Sequence, residues 1–466
     1  MNRVRTLDKQ IYSPSSSIIF LQCFFFAILF GVWVLPETIL IRHLCLFIGA
    51  AISLYTIFRN LNLFLNKNAL PIWMIAVLFV WVIFHLIFLV TDFDVQWLEF
   101  GTIWKRSAIG FIFACGLGLA VNTQLQSAPD KAQISKRILF IGFALPTLIY
   151  WIKFGAGILV VRYGLHIPEL MLLQPEATKY FVHKSAYVFF CLPLYAISLG
   201  CLYELYLKGN LLSRNAMMYL ICIAAVLLNF IIEKDRNGEI YALFLALCFC
   251  GLILKDQIKS FSYQKIFLGC LITAIPVFGA LYQFRNNAQW NSIVSDARIA
   301  VQIDQYNNWQ DQAILKPPKD EEGRQISGTN YERIAWGTAA LRLIKQNPLG
   351  FGLVERSFGR LGKGVWPEAK LHQSHSGWLD FTLGLGLPGI FLLLGAGAIA
   401  WYQSLSGPSF AQIIGGWALA SLLLSMFTTE LSQKVYIDGL IFMIGLAATL
   451  SMSIKSVTPK PIESFK

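Results

Sequence analysis

The stretch LHQSHSGWL, residues 371–379, decides the fold of this chain, because a long polar insert ends in it and an apolar run begins in it. The insert, residues 285–376, is preceded by nine apolar segments and followed by three. A lipid bilayer cannot satisfy the backbone of so much polar sequence, so the insert must lie on one aqueous face. We therefore predict an all-α polytopic membrane protein with about 12 transmembrane helices and a large loop between the ninth and the tenth.

The composition agrees with this class of protein. The 466 residues are 56% apolar and only 14% charged, whereas soluble domains have roughly 25% charged residues. The net charge of +12 does not indicate nucleic-acid binding, because the lysines and arginines are spread over short loops rather than gathered in one basic domain. All nine cysteines lie in apolar segments, without the spacing of a metal site or a disulfide framework.

Apolar runs of suitable length predict where the helices lie. Residues 1–284 should hold spans one to nine, residues 285–376 a loop subdomain, and residues 377–466 spans ten to twelve with a C-terminal tail. The predicted spans are 17–35, 42–59, 70–91, 106–121, 137–155, 182–207, 216–232, 239–255, 264–284, 377–402, 410–428 and 435–454.

The distribution of basic residues orients these spans. Most lysines and arginines alternate to the face that holds both chain termini, which identifies that face as the cytoplasm. The opposite loops begin with Glu37 and contain the acidic residues Asp92, Asp94 and Glu99. Arg42, Lys105 and Arg106 break the pattern at the outer ends of spans, where extension of their side chains to lipid headgroups accounts for them.

Further cations on the outer face are candidates for anion binding. The turn EKDR, residues 233–236, lies between two predicted spans. Because positive charge opposes translocation, Arg236 is the strongest of these candidates, and a local ion pair with an acidic neighbour is the alternative. For the weaker candidates a solvated or headgroup-facing charge is the simpler interpretation; they are Arg162, Lys179, Lys234 and Arg285.

The insert contains a predicted helix. TNYE, residues 329–332, has the pattern of a capping box, in which Thr329 and Glu332 satisfy each other's free backbone amides. The helix should continue to about Gln346, where NPLG, residues 347–350, stops it. Arg333 then lies near the positive end of the helix dipole, which is a favourable place for an anion.

His375 is the best single candidate for the chemistry. Ser374 or Ser376 can cap the apolar helix that begins near Trp378, which places His375 at the helix N-terminus. A positive dipole end favours a neutral imidazole, which can accept a proton at neutral pH. An ordinary interfacial histidine is the alternative, and His372 is a weaker candidate. His85, in the middle of a span, is best explained by a hydrogen bond between helices.

These segments resemble the motifs of the O-antigen ligase family, whose superfamily also holds O-antigen polymerases and bacterial protein O-oligosaccharyltransferases. HSGWL (375–379) followed by GLGLPG (384–389) is similar to the family's H-N-x-aromatic-L … G-x-x-G region. RIAW (333–336) followed by NPLGFG (347–352) is similar to its R-x-x-W … P-x-x-G-x-G stretch. DRNG (235–238) is similar to its S-R-G turn between two spans.

The chain departs from these patterns at four places. Ser376 stands where the family more often has Asn, and Asp235 stands where it usually has Ser. Gly238 is one position late, and the gap from Pro348 to Gly350 is one residue short. The three matches nevertheless occur in the family's order, with the family's span count and late periplasmic loop.

The resemblance implies that a glycan is transferred from undecaprenyl diphosphate to an acceptor at the periplasmic face of the bacterial inner membrane. It implies His375 as the base for the attacking hydroxyl, and Arg236 and Arg333 as the cations that hold the diphosphate. It also implies a reaction without metal or other cofactor. Asp92 and Asp94 have the D-x-D spacing of metal-dependent lipid-linked glycosyltransferases, but such pairs are common by chance.

The leading hypothesis is an O-antigen ligase that uses lipid A–core as its acceptor. A protein O-oligosaccharyltransferase, with a pilin or other exported protein as acceptor, shares the same donor and leaving group. An O-antigen polymerase would use a second lipid-linked glycan. A lipid-linked glycan flippase or transporter would also present many helices and a basic cavity, but the few charges within the spans and the lack of a repeat argue against it.

Overall fold

The chain is almost entirely helical in the computed structural model, which describes residues 12–260 apart from residue 177, a few positions between 261 and 292, and residues 293–311, 316–319, 322–429 and 434–453. In this part of the chain β-pairing is limited to one bridge, between Lys319 and Gln325. The helices are α1 Ser16–Trp33, α2 Ile39–Arg59, α3 Leu70–Phe88, α4 Phe93–Glu99, α5 Lys105–Ser127, α6 Pro129–Tyr163, α7 Lys184–Leu207, α8 Arg214–Ile232, α9 Arg236–Ser260, α10 Ile293–Ala300, α11 Gly328–Gln346, α12 Ser357–Val365, α13 Gly377–Leu405, α14 Ser409–Ser425 and α15 Val435–Leu450.

The all-α prediction is confirmed for these residues. Nine helices among them are long and apolar enough to cross a membrane, with α4 and α5 counted as one rod. The shorter apolar helices α14 and α15 overlap the last two predicted spans. Most of the predicted ninth span, 264–284, lies outside the described residues, so the predicted count of twelve stays a prediction.

The fourth span begins earlier than the sequence predicted. A π-helical turn, Phe100–Trp104, joins α4 to α5 in one rod, Phe93–Ser127. Glu99, which was expected in an outer loop, is only 4% exposed within this rod. Its carboxylate accepts hydrogen bonds from the backbone N–H groups of Val354 and Glu355 at 3.0–3.1 Å. Glu99 therefore fixes the loop that precedes α12 onto the transmembrane helices.

The expectation that Arg42 and Arg106 extend to lipid headgroups is wrong. Arg42 is 8% exposed, and the side chain of Arg106 is 12% exposed. Arg106 forms an ion pair with Asp438, a buried residue of α15 that also accepts a hydrogen bond from Ser107 at 2.6 Å. Buried charges need such partners, and the partner here lies more than 300 positions away in the chain.

Apolar helix packing forms the main core. Helix α15 lies against α5, α2 lies against α5, and α1 lies against α6. Aromatic rings fill the space between them, with Phe26 and Phe113 both contacting Phe442 of α15 at centroid distances of 5.7 and 5.4 Å. Every residue of α15 from Tyr436 to its end is buried, which explains how a helix of 16 residues belongs to this bundle.

A second, smaller hydrophobic cluster holds the described part of the insert together. It combines α10, α11 and α12 around the buried side chains of Trp309, Tyr331 and Phe358. Leu383 of α13 belongs to the same cluster. The insert is therefore fixed to the start of α13 by apolar contact, which positions α11 beside the loop that carries His375.

Two glycine-rich segments, 347–352 and 383–387, interlock through their backbones, and we call this pair the glycine interlock. Gly386 interrupts α13 with φ 69° and ψ −173°, a conformation that is essentially restricted to glycine. The break frees backbone groups of α13, and the other segment binds them: Phe351 N–H donates to the Leu383 carbonyl at 2.9 Å, and Leu387 N–H donates to the Pro348 carbonyl at 2.8 Å. The interlock fixes the end of α11 to α13.

Candidate functional site

A basic cavity of about 440 Å³ lies at one end of the helices, where four of them begin. The first residues of α7, α9 and α10 and the first two turns of α11 line it. Helix N-termini carry free backbone N–H groups and partial positive charge, so their convergence favours an anion. The residues that line this cavity are Lys184, Lys234, Asp235, Arg236, Asn237, Ile240, Ile293, Thr329, Asn330 and Arg333.

Among the residues that the structure describes, four cations and one carboxylate line this cavity. Lys184, Lys234, Arg236 and Arg333 are all exposed, and the carboxylate is that of Asp235, which is 6% exposed. The structure thus brings the two predicted arginines together, although they are almost 100 positions apart in the chain. Two planar guanidinium groups and two ammonium groups around one cavity suit a ligand with several phosphate oxygens.

The turn before α9 explains two departures from the family motif. The Asp235 carboxylate accepts hydrogen bonds from the backbone N–H groups of Asn237 at 3.1 Å and Gly238 at 3.3 Å, so it caps α9. Asp and Ser are both strong N-capping residues, so the replacement preserves this role. A Cβ atom on Gly238 would lie 2.7 Å from the ring of Phe230 in α8. Glycine at this position therefore allows α8 and α9 to approach closely.

The N-terminus of α11 differs from the predicted capping box. The helix begins at Gly328, and the residue in the N-cap position is Ser327, which makes no side-chain capping hydrogen bond. The capping box with Thr329 as cap is therefore wrong. Asp296 of α10 holds this end instead: its carboxylate accepts from Ser327 N–H at 3.2 Å and from the Asn330 side chain at 2.9 Å.

The rest of α11 follows the prediction. The helix ends at Gln346, followed by Asn347 as its C-cap. Its inner face is anchored by Tyr331, which is 1% exposed and donates to the Tyr306 carbonyl at 3.2 Å. Burial raises the pKa of Tyr331 to about 12, so this hydroxyl keeps its proton and its hydrogen bond at physiological pH.

Helix α11 connects the cavity to His375. Nη1 of Arg333 donates to Asn237 Oδ1 in the first turn of α9 at 3.4 Å. Trp336 lies three positions further along α11, on the adjoining part of the same face. The His375 ring is stacked on Trp336, with centroids 4.8 Å apart and planes at 15°. One helical turn of α11 thus separates the cation in the cavity from the histidine.

His375 has an unusual backbone conformation. Its φ is 57°, in the left-handed region that non-glycine residues rarely occupy. The flanking serines fix this conformation. Ser374 N–H donates to the Asp380 carboxylate at 2.9 Å, and Ser376 N–H donates to Ser374 Oγ at 3.3 Å. Helix α13 begins at Gly377 with Ser376 in the N-cap position and without a side-chain cap. Strained residues held by their neighbours are typical of functional sites.

The weaker candidates are distributed differently. Lys234 lines the basic cavity. His372 is exposed, and its carbonyl accepts from Gly359 N–H at 3.2 Å. Arg162 lies over the ring of Tyr163, and Lys179 pairs with Glu37 at 3.8 Å. The last three candidates do not line the basic cavity in the described structure, and neither does Arg285, which is exposed.

Two other polar features have structural roles. Nε2 of His85 lies 2.7 Å from the carbonyl of Leu349 in the glycine interlock, so its hydrogen bond goes to a loop between helices and not, as expected, to another helix. Asp92 caps α4 by accepting from Val95 N–H at 3.3 Å, and it lies 3.7 Å from Arg360.

Sequence reasoning missed Lys184 as a residue of this site. It is the first residue of α7 and was expected inside the span 182–207. The signal was available, because Lys184 is a cation at the outer end of an apolar segment, as Arg236 is. The asparagines of the cavity, Asn237 and Asn330, gave no such signal, since uncharged residues do not disturb the charge distribution.

One comparison with known proteins bears on this site. Residues 210–394 match the family model described as O-Antigen ligase. This segment includes Lys234, Arg236, Arg333 and His375. No curated protein matches the chain. That family implies a glycosyltransferase-like enzyme, and nine of the described helices are long and apolar enough to cross a membrane. The family resemblance of the motifs is therefore confirmed for residues 210–394, which are similar to the O-antigen ligase family.

Proposed function

We propose that this protein is an O-antigen ligase that moves a glycan from undecaprenyl diphosphate to lipid A–core, with inversion at the anomeric carbon. One observation carries the proposal: Arg236 and Arg333 line a single basic cavity, and the helix that carries Arg333 also holds the ring of His375. The family match over the same segment supports the reaction class.

The basic cavity would hold the diphosphate of the donor. A lipid diphosphate leaves without a proton from a general acid, so the main requirement is to stabilise the charge that grows on its oxygens. Arg236 and Arg333 supply bidentate donors, while Lys184 and Lys234 supply point charges at the same cavity. Preorganised donors of this kind contribute roughly 3 kcal/mol each to a transition state.

His375 would accept the proton of the attacking acceptor hydroxyl. In this step the hydroxyl oxygen forms a bond to the anomeric carbon, the bond to the diphosphate oxygen breaks, and the proton passes to the imidazole. Stacking on Trp336 and the constrained turn 374–376 fix the orientation of the ring. Because the acceptor replaces the diphosphate directly, the product has the opposite anomeric configuration.

The proposed reaction takes place at the periplasmic face of the inner membrane. The residues of the cavity lie at the starts of α7 and α9, and the sequence assigns both starts to the face opposite the basic loops. Both chain termini are then cytoplasmic. This orientation agrees with a donor whose lipid tail remains in the outer leaflet of that membrane.

Transfer by the purified full-length protein tests this function. The substrates are an undecaprenyl-diphosphate-linked glycan and purified lipid A–core, with an exported pilin as a parallel acceptor. We expect transfer to lipid A–core, and His375→Ala should lower its rate by about 10²–10⁴-fold, the contribution of a positioned base. His372→Ala is the matched control, because His372 is exposed and three residues away.

A normal rate for His375→Ala would contradict the assignment of the base. Transfer to the pilin alone would assign the protein to the oligosaccharyltransferase branch of the superfamily. Deletion of the gene gives an independent reading in cells: a ligase mutant loses the ladder of lipopolysaccharide chains, whereas a protein-modifying enzyme changes the mobility of a glycoprotein.

A further inference from the structure

A second cavity, of about 390 Å³, lies at the same end of the helices. It lies among the end of α1, the start of α2, Arg106 near the start of α5, and the residues that precede α7 and α15. His183 lines this cavity, and Lys184, the next residue, lines the basic cavity. The two cavities are therefore lined by adjacent residues at the start of α7.

The second cavity has more positive than negative charge. Arg42, Arg106 and Lys434 line it. Of these, Arg106 is paired with Asp438, and Lys434 lies 3.4 Å from Glu355. The described residues thus supply two carboxylates for three cations.

Arg42 accounts for the excess charge. Its guanidinium donates to two neutral oxygens, Thr38 Oγ1 at 2.9 Å and the carbonyl of Leu35. Asp438 attracts it electrostatically but is already bound to Arg106 and Ser107. A guanidinium that is 8% exposed is costly to bury without an anion of its own. The charge distribution therefore favours an anion from outside the chain.

Two buried donors beside this cavity also lack acceptors. Nη2 of Arg106 and Nε1 of Trp33 are buried and have no hydrogen-bond partner among the described residues. Trp33 is 1% exposed, and both residues line the cavity. Buried donors are rarely left unsatisfied in proteins. A ligand that is rich in acceptors and carries negative charge, such as a phosphate ester, meets both requirements.

The wall of the second cavity is apolar and reaches the lipid-facing side of the bundle. Val34, Leu35 and Val435 line it together with Ile39, which is 59% exposed. Leu40, the next residue of α2, is 82% exposed. Exposed apolar side chains on a membrane-spanning helix face acyl chains. A cavity with cations on one side and lipid-facing apolar side chains on the other suits a lipid headgroup better than a soluble anion.

We propose that the second cavity binds a phosphate group of the acceptor lipid, while the basic cavity holds the donor diphosphate. This assignment of the lipid rests on the proposed function, because lipid A–core is the acceptor of a ligase, whereas a polymerase would use a second undecaprenyl-diphosphate-linked glycan. The position of the cavity, which shares the start of α7 with the basic cavity, agrees with a reaction between two lipids in one leaflet.

Lipid binding to the full-length protein, measured by native mass spectrometry from detergent, tests this proposal. The probes are monophosphoryl lipid A, phosphatidylglycerol and undecaprenyl diphosphate. A hydrogen bond to a charged group contributes roughly 10- to 100-fold in affinity, so Arg42→Gln should weaken binding of monophosphoryl lipid A by at least about tenfold. Trp33→Phe, which loses the indole N–H, should weaken it less.

The matched control is Arg59→Gln, at the other end of α2 and on the exposed surface; it should leave binding of all three probes unchanged. Arg42→Gln should not change the binding of undecaprenyl diphosphate, whereas Arg236→Gln should weaken that binding alone. Equal binding of monophosphoryl lipid A by the wild type, Arg42→Gln and Trp33→Phe would overturn the proposal. If Arg42→Gln does not fold, the binding of monophosphoryl lipid A by Trp33→Phe alone tests the proposal.

The source of the phosphate is decided by the second probe. We expect monophosphoryl lipid A to bind at least about tenfold more tightly than phosphatidylglycerol, since the acceptor offers additional polar contacts. Phosphatidylglycerol that binds equally well, and with the same dependence on Arg42, would overturn the assignment to the acceptor. Failure of the proposed function gives a different result, in which both lipids bind but no glycan is transferred.

Discussion

The basic cavity and the glycine interlock both contain family motif residues, but they use them in opposite ways. In the cavity the motif residues Arg236 and Arg333 are exposed. In the interlock they are glycines whose backbone atoms meet those of a facing segment, as at Gly350 and Gly386. The comparison separates motif residues whose side chains are available to bind a ligand from motif residues that allow two backbone segments to pack closely. Substitutions in the basic cavity should change the rate of glycan transfer, and substitutions in the glycine interlock should change the free energy of unfolding.

The double variant Arg236→Gln/Arg333→Gln should have the largest effect. Each lost donor to a developing charge lowers the rate on the order of 100-fold, so the pair should lower glycan transfer by about 10⁴-fold. Thermal unfolding of the purified protein should remain close to that of the wild type, because both side chains are exposed. Transfer assays and unfolding curves on the same preparation measure both quantities.

A matched control for this pair is Arg162→Gln/Lys179→Gln. These two exposed cations are assigned to the same face and do not line the basic cavity. Their removal should change transfer by less than about threefold, as expected for screened surface charge. Equal losses in the two double variants would mean that general positive charge, rather than the cavity, supports the reaction.

Gly386→Ala should have the next largest effect, on stability. A Cβ atom here would lie 2.3 Å from the carbonyl carbon of Leu349, and the backbone has φ 69°. Strain and overlap together should lower the free energy of unfolding by at least about 3 kcal/mol. Low yield and early thermal unfolding in detergent are the expected observations.

Gly364→Ala serves as the control for that substitution. Gly364 lies in α12, and an added Cβ would meet no heavy atom within 4 Å. Alanine favours a helix over glycine by up to about 1 kcal/mol, so this variant should unfold at the same or a higher temperature. A Gly386→Ala protein as stable as Gly364→Ala would remove the distinction between the two regions.

The sequence predicted the helices well because each apolar run carries its own signal. A run of about 20 apolar residues is sufficient to place a helix in a membrane. The buried charges were not predictable in the same way. Glu99 binds backbone amides 255 and 256 positions away, and Arg106 binds a carboxylate 332 positions away. Local patterns contain no information on such partners, so both side chains were expected at the surface.

The site was only partly predictable for a related reason. Arg236, Arg333 and His375 were identified from motifs and from charge on the translocated face. The cap of α11 was not, because the capping-box pattern competes with Asp296, a carboxylate from another helix. Lys184 was overlooked because it adjoins an apolar run. Motifs therefore identify the residues of the site, but contacts with distant parts of the chain decide whether a local structure such as the capping box forms.

His85→Phe tests the interlock from the side of α3. The substitution removes the hydrogen bond to the Leu349 carbonyl and leaves that oxygen without its partner. Because this hydrogen bond is partly buried, its loss should cost about 0.5–1.5 kcal/mol, and unfolding should occur at lower temperature. The rate per folded molecule should not change, because His85 contacts the interlock rather than the basic cavity. His85→Gln retains a donor and should be less damaging. A rate that falls while stability is retained would give His85 a direct part in the reaction.

Asp235 belongs to both kinds of region, so its substitutions have the smallest and most informative effects. Asp235→Ala removes the cap of α9 and should lower the free energy of unfolding by about 1 kcal/mol, whereas Asp235→Ser keeps a capping oxygen and should lower it by less than half as much. Both variants remove the carboxylate that Asp235 contributes to the lining of the basic cavity.

Binding of undecaprenyl diphosphate, measured by native mass spectrometry, should therefore become tighter by up to about fivefold in each variant, because a partly screened negative charge beside the diphosphate is lost. The free energy of unfolding would then differ between Asp235→Ser and Asp235→Ala, because only serine restores the capping hydrogen bond. The affinity for undecaprenyl diphosphate would be the same in both variants, because both lose the same negative charge. If affinity followed stability instead, the cap of α9 and the anion site would be one structural unit, and the separation between geometry and chemistry would not hold at this residue.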